Sequence, residues 1–448
     1  MPLSSNLPGA VGDGMPYRRE TPFDPPTALL ALQDRPLRPM TYQPDGVDGW
    51  LVTGHAQART ILADPRFVLG QRFVRSPTEL PHFFVSASEH VPPGFFFFMD
   101  PPDHTRLRRK VTSVFTVKGM RRLEPRITEI IEDRLAALRA AGSGADLMHH
   151  FALPVPSLVI CEMLSVPYAD RDAFQRTSGD IFNQALSVDA RNASMAELVD
   201  YVLGLVPAKR REPGDDLLGS LAADDDLTDA EVAGIGMILL LGGHETTAHM
   251  FGLGTFALLE QPDQMDRLRT EPELMPTAVE ELLRYLTVAH AGMMRIATED
   301  ALIHGQTIRA GQYVTVAPHA ANRDPDRYDR ATELDVGRNA QGHLAFGHGM
   351  HQCVGQQLAR VEMRIGFTKL LDAFGDLRLA VPAEEVRMCS DMFIYGVESL
   401  PVAWGRTHEG NRRPRTVRER RDVCLDRPEG LRPGRGRRPG DRDRVGPG

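Results

Sequence analysis

The residues from His343 to Gly355 read His-Leu-Ala-Phe-Gly-His-Gly-Met-His-Gln-Cys-Val-Gly. Cys353 stands among three glycines, Gly347, Gly349 and Gly355. Glycine permits tight turns and close approach of a backbone to another group. A helical pattern follows from about Gln356 to Phe374, with Leu358, Val361, Ile365, Leu370 and Leu371 at apolar positions. Cys353 is therefore expected where a glycine-rich loop enters a helix N-terminus. Peptide N–H groups and the helix dipole there favour an anion such as a thiolate. A thiolate in a loop shaped for close approach suits the axial ligation of a haem iron. A buried structural cysteine before an ordinary helix is the plainer reading. Zinc bound by His343, His348, His351 and Cys353 is a third, but the spacings do not match zinc pairs and no second cysteine lies nearby.

A second reactive stretch is Leu241-Gly242-Gly243-His244-Glu245-Thr246-Thr247, inside an apolar run from Leu227 to Leu259 that reads as one long helix. Thr228 and Glu231 supply a capping signature at its start. Two adjacent glycines inside a helix cost about 1 kcal/mol each relative to alanine. A buried carboxylate and hydroxyls add to that cost. The functional reading is a distorted turn that lets another group approach the backbone; a tight helix crossing is the structural one. His244-Glu245 also begins a His-Glu-x-x-His zinc motif, but position 248 is Ala248, and His249 is five residues on. Three further sets stand out. His104 and Arg108 share a helix face and could clamp carboxylates or simply be solvated. Glu281 and Arg284, three apart, can pair. Phe83, Phe84 and Phe95 to Phe98 lie in a segment broken by Pro92, Pro93 and Gly94, and either tuck into the core or line an apolar pocket.

Composition bounds what these residues can serve. The apolar fraction, 42% of 448 residues, allows a sizeable core. The four cysteines are scattered, which suggests a reduced, cytoplasmic protein. No apolar run is long enough for a bilayer and no secretory signal is visible. The net charge is −8, yet residues 406–448 hold 14 arginines against 7 acidic residues. The body is thus strongly acidic, which speaks against nucleic-acid binding.

The elements that must position the reactive residues are mostly helices. They are expected at Gly54–Leu62, from Asp103 to Phe115, and at Met120–Ala140, Pro156–Leu164, Asp170–Leu186, Met195–Arg210 and Pro276–Tyr285, with a charged loop at Arg211–Asp226. Short strands are expected between Tyr42 and Val52, at Met294–Ala297, Ala301–Ile303 and Tyr313–Val316, and near Ser399–Trp404. Residues 1–20 read as a disordered arm, the polar, proline-punctuated stretch running to about residue 26. Residues 21–405 read as one domain and 406–448 as a disordered Arg/Pro/Gly-rich tail.

Four stretches in order, Met99 to Arg108, Gly242 to Thr247, Glu281-x-x-Arg284 and Phe346 to Gly355, resemble the cytochromes P450, in particular the soluble bacterial members that tailor natural products. The resemblance covers about residues 20–405. It implies a mainly α fold with small β-sheets, a triangular helical prism. It implies Cys353 as the metal ligand and His104, Arg108, Gly242, Gly243, Arg295, Phe346 and His351 as the residues around haem b. Glu245 and Thr246 would be catalytic, and Glu281, Arg284 and Arg338 a structural ion cluster. Candidate pocket residues are Phe83, Phe84, Phe95, Met237, Leu241, Met293, Met294, Met392 and Phe393. The implied reaction is insertion of one atom of dioxygen into a bulky apolar small molecule such as a polyketide, in a monomer without membrane or nucleic-acid partners. Electrons would come ultimately from NAD(P)H through a ferredoxin and its reductase, with Arg106, Arg109, Lys110, Arg121 and Arg122 as a docking patch. A ligand-sensing haem carrier, or a coupling enzyme on the same fold, are the alternatives. His249 departs from the asparagine frequent in related sequences and is expected not to touch Glu245 or Thr246.

Overall fold

The computed structural model describes residues 14–42, 46–70, 77–78, 91–112, 115–182, 186–214, 216–390 and 392–405. The tail expected at 406–448 and the aromatic residues Phe83 and Phe84 lie outside them. The strands are β1 (Leu37–Tyr42), β2 (Val47–Val52), β3 (Phe67–Val68), β4 (Met293–Ala297), β5 (Ala301–Ile303), β6 (Gln306–Ile308), β7 (Tyr313–Val316), β8 (Arg378–Leu379) and β9 (Val402–Ala403), the last two paired antiparallel where a strand was expected near the end of the domain. One sheet runs β1-β2-β7-β4-β3, with β2 and β7 parallel, and β5-β6 is a separate hairpin. The hairpin turns at His304 and Gly305, both at positive φ, as the turn residues require.

Helices supply the rest: α1 (His55–Ala63), α2 (Asp103–Thr112), α3 (Val117–Ala141), α4 (Pro154–Met163), α5 (Arg171–Phe182), α6 (Val188–Arg211), α7 (Leu217–Ala222), α8 (Asp229–Leu259), α9 (Pro262–Thr270), α10 (Met275–Leu286) and α11 (Gln356–Ala373). The expected mainly α architecture with small sheets is what the chain adopts. Helix α8 is apolar on every side and so runs through the interior. Its start is the expected capping box, in which Glu231 N donates to Thr228 Oγ1 and Thr228 N donates to Glu231 Oε2. From Val232 to Leu258 every residue is buried except Gly242, Gly243 and Thr246.

Three expectations need correction. The charged stretch 211–226 is not all loop: α7 forms there, capped by Asp216, whose carboxylate accepts from Gly219 N. Four of its six residues are leucine or alanine, too short a run to show a period. Helix α6 begins at Val188, not Met195, because Ser187 caps it. The polar arm is also tied down from residue 14 onward. Met15 and Tyr17 are buried. Arg19 stacks 3.9 Å over the Tyr395 ring, and the buried Arg323 donates to Asp24 and to Phe23 O. These partners lie hundreds of residues away, so local composition could not reveal them.

Beneath this arm His290 and His319 are fully enclosed. Burial pushes His290 down to about 4 and His319 well below the usual range. A base whose folded pKa lies below its unfolded value of about 6.5 favours folding fully above that value. The contribution is lost as pH falls toward 4, since the unfolded chain binds the protons. Unfolding free energies from urea titrations should therefore drop between pH 6.5 and 4.5, by at most about 1.4 kcal/mol per pH unit for each histidine. His319→Leu should make that slope shallower; an unchanged slope would assign the acid lability elsewhere.

Candidate functional site

The Cys353 loop is built by its glycines and a few backbone bonds. Gly347 and Gly349 adopt φ of 68° and 74°, the left-handed region. A Cβ at Gly349 would sit 2.1 Å from Leu62 O, so no other residue fits against α1. Cys353 N donates to Phe346 O at 2.9 Å, and Gly347 N to Leu344 O at 2.9 Å. The thiol is then presented just before α11. Burial pushes its pKa up; the peptide N–H groups of Gly355 and Gln356 and the guanidinium groups of Arg108 and Arg360 pull it down. The residue is nevertheless exposed.

Helix α8 offers a second open place. A Cβ at Gly242 would meet nothing within 4 Å, whereas one at Gly243 would come to 3.0 Å from Ile160 on α4. Gly242 thus opens the helix, and Gly243 lets α4 pack. Thr246, one turn from Gly242, donates its hydroxyl to Gly242 O at 2.7 Å. Glu245 is buried and does not bond to Thr246: its Oε2 lies 3.1 Å from His249 Nε2. The expectation that His249 stands apart from these two residues is therefore wrong. Residues four apart on a helix share a face, and here the face is polar and buried.

The expected clamp residues converge from three elements: His104 and Arg108 from α2, Arg295 from β4, and His351 from the loop before Cys353. The His104 and His351 rings are 4.3 Å apart. None of their four ring nitrogens has a hydrogen-bond partner among the described residues. Asp100 comes within 3.8 Å of His351, beyond hydrogen-bond reach, and its carboxylate already accepts from Leu69 N and Gly70 N. Arg295 is 5% exposed and donates only to Met294 O among the described residues. Burial pushes it down to about 10. A cleft of about 470 Å³ opens along α2 beside His104, Arg108 and Met350. Buried donors left unsatisfied by protein mark the place of an absent partner. Two cations and two imidazoles facing one occupied carboxylate fit a dianionic group, such as the two carboxylates of a haem.

The fold also brings Glu281, Arg284 and Arg338 together. Arg284 donates to both Glu281 oxygens at 2.6 and 2.8 Å, and Arg338 Nε to Glu281 Oε1 at 3.1 Å. Arg284 further binds the carbonyls of Asn322, Ala331 and Glu333. That pins the irregular segment leading to the Cys353 loop. Asn322 continues the chain of contacts by accepting from Leu344 N at 2.7 Å.

The candidate pocket residues separate. Phe95 and Leu241 are buried in the main core, Met293 and Met392 are half-buried, and Phe393 is exposed. Met293 lies on the same face of β4 as Arg295, and a Cβ at Gly347 would touch it at 3.7 Å. Met294 falls on the opposite face, against the cluster of Met15, Leu29 and Met40, which removes it from that side. Met237 is completely buried, so it offers no surface to a ligand. The alternation of β4 and the solid packing of α8 are the reasons.

Sequence reasoning missed Arg360. Its guanidinium lies 4.6 Å over the Phe346 ring and binds Glu280 at 2.6 and 3.0 Å. Glu280 also accepts from His343, and these partners hold its carboxyl down at about 2. Glu280 and Glu281 are neighbours in sequence, but α10 sends them to two different ion networks. The signal was the second glutamate itself, which has no purpose on a merely amphipathic helix.

A family model described as Cytochrome P450 matches residues 205–389. Cytochrome P450 105C1 of a Streptomyces species is 46% identical over 387 residues, 86% of this chain and 97% of that protein. Pentalenic acid synthase of Streptomyces avermitilis is 42% identical over 394 residues, 87% and 96% of the two chains. The crystal structure of CYP105P1 in complex with filipin I matches with a TM-score of 0.79 at 37% identity, covering 88% of this chain and 100% of that one. No helix among the described residues is long and apolar enough to cross a membrane. A likeness of this depth over most of both chains shows that the chain belongs to the cytochrome P450 family, whose chemistry requires haem iron and dioxygen.

Proposed function

We propose that this P450 hydroxylates or epoxidises a bulky apolar natural product, with Cys353 as the proximal thiolate. The observation that carries the reading is the exposed Cys353 in a loop shaped by the left-handed Gly347 and Gly349. Phe346, with Arg360 stacked on it, shields the sulfur. His104, Arg108, Arg295 and His351 bind the carboxylates of haem b through charge-assisted hydrogen bonds. When bound, the haem activates dioxygen, and thiolate donation favours O–O cleavage. Gly242 would leave room for dioxygen beside α8, while Gly243 lets α4 pack. Thr246 presents its hydroxyl there, and Glu245 carries protons toward it. Glu281, Arg284 and Arg338 hold the fold beneath the site. Phe95, Leu241, Met293, Met392 and Phe393 supply the apolar wall. The relatives named for pentalenic acid synthesis and solved with filipin I support a secondary metabolite as substrate, a polyketide among the candidates.

Electrons reach the site from NAD(P)H through a ferredoxin and its reductase. Two of the five basic residues expected to dock the ferredoxin pair with acids among the described residues. Arg106 pairs with Glu231, and Lys110 with Asp224 and Asp226 at 2.6 and 3.0 Å. Arg109, Arg121 and Arg122 are exposed. Glutamate at positions 109 and 121 together should lower ferredoxin-supported turnover about tenfold at low salt, leaving chemical reduction unchanged. Equal turnover in both proteins would place the docking face elsewhere.

The test of the reaction is spectral first. The reduced protein under carbon monoxide should give the red-shifted Soret band of thiolate-ligated haem. Natural products that shift the ferric spin state should then be converted to products heavier by one oxygen. A reduced protein without that band would end the reading, as would spin-shifting ligands that return only unoxidised.

A further inference from the structure

Glu245 and His249 stand one turn apart on α8, and their side chains are 7% and 5% exposed. His249 Nε2 lies 3.1 Å from Glu245 Oε2. His249 Nδ1 has no hydrogen-bond partner among the described residues, so the carboxylate is the ring's polar contact. The ring is also clamped. A Cβ at Gly396 would fall 2.2 Å from His249 Nδ1, which means the imidazole packs directly on that backbone. Thr246 bonds in the opposite sense along the helix, to Gly242 O. The acid and the alcohol are adjacent in sequence yet held apart, one by a residue four ahead and the other by a residue four behind.

We propose that His249 is a positioning residue for proton delivery: it holds Glu245 as a carboxylate turned away from Thr246, and sets the pH range over which Glu245 carries a proton toward Thr246. This rests on the reading of Glu245 as the proton carrier. The pair holds one mobile proton, on Nε2 or on Oε2. When that proton leaves through Glu245, neutral imidazole and carboxylate remain, and water restores it. With the proton on Oε2 the imidazole is neutral, the charge attraction is gone, and the carboxyl is free to turn. A neutral asparagine could hold the same carboxylate by a hydrogen bond but could not exchange a proton with it.

The neighbouring titratable groups support His249 as the partner. Burial pushes Glu245 up, while His249, and then His244, pull it below the usual carboxylate range. His244 is itself committed to the Leu153 carbonyl. In the packed segment beyond α11, Cys389 feels Glu245, Glu398 and Arg387. Burial holds that thiol protonated, up at about 12, so it brings no charge of its own.

The experiment compares the full holoenzyme with His249→Asn, His249→Phe and Glu245→Gln. The pH dependence of kcat and of product formed per electron pair is measured beside the substrate KM. Infrared difference spectra between acid and neutral pH follow the protonated carboxyl band, which Glu245→Gln assigns by its loss. In His249→Phe that band should appear at a pH higher by about one unit or more. The kcat profile should move with it, while KM and the carbon monoxide spectrum stay unchanged. His249→Asn should keep the coupling near its wild-type maximum but flatten its pH dependence. An unmoved carboxyl band and unmoved profiles in both His249 variants would overturn the proposal. Should Glu245→Gln itself turn over normally, the proton-carrier reading fails first. Should Glu245→Gln be impaired while both His249 variants behave as wild type, only the role of His249 fails.

Discussion

Replacing Cys353 with alanine should abolish the thiolate-type carbon monoxide band and product formation while leaving the chain folded. The loop does not depend on the side chain. Its shape comes from bonds such as Cys353 N to Phe346 O and from the left-handed Gly347 and Gly349. Cys353 is an exposed residue, so truncating its side chain leaves no packed cavity. Stability should change by less than about 1 kcal/mol. A buried structural cysteine would behave in the opposite way, and the chain contains one for comparison. Cys161 is fully enclosed, and burial pushes its thiol up to about 12. Cys161→Ala should cost stability and leave the spectrum intact. A Cys353→Ala protein that kept the band would remove the central assignment. One that unfolded would return Cys353 to a structural role.

Glu281→Gln should have the largest effect on stability, about 3–5 kcal/mol. Glu281 and Arg284 are both completely buried. Glu281 accepts from Arg284 twice, from Arg338 and from Asp335 N. Glutamine matches the volume but removes the charge and turns an N–H toward guanidinium donors. Arg284 is then an uncompensated cation in a medium that cannot solvate it. A loss of that size is a large part of the 5–15 kcal/mol that holds a typical protein folded. The variant should show a lower urea midpoint and weaker haem retention, since Arg284 pins the carbonyls of 322, 331 and 333 ahead of the ligand loop. Glu280→Gln, whose partner Arg360 is partly solvated, should cost clearly less stability. Equal midpoints for wild type and Glu281→Gln would mean that the cluster is replaceable by hydrogen bonding alone.

The ligand loop, the opened helix and the clamp residues were all legible before any coordinates. Each announces itself locally. Glycines in a loop, two glycines in a helix and a capping pair have few other uses, and helical and strand periods predict which neighbours share a face. The same period could have exposed the Glu245–His249 contact. It did not, because a resemblance describes what is shared, and histidine at 249 is where this chain departs. Met237 and Met294 show the converse error. Both have the composition of a pocket wall, but one is sealed in the core and the other turned to the far face of β4.

Short motifs that resemble the family thus pointed to it and to the candidate reactive groups, and helical and strand periods placed most of the elements. The fold alone settled which charges remain available and which are consumed. Arg106 and Lys110 look the same in sequence as Arg109, yet they are neutralised by acids more than a hundred residues away. The arm at 14–26 has the composition of a loose end, yet Arg323 and Tyr395 capture it. Ion pairing and burial are sums over groups remote along the chain, whereas a helix period or a cap is written within a few residues.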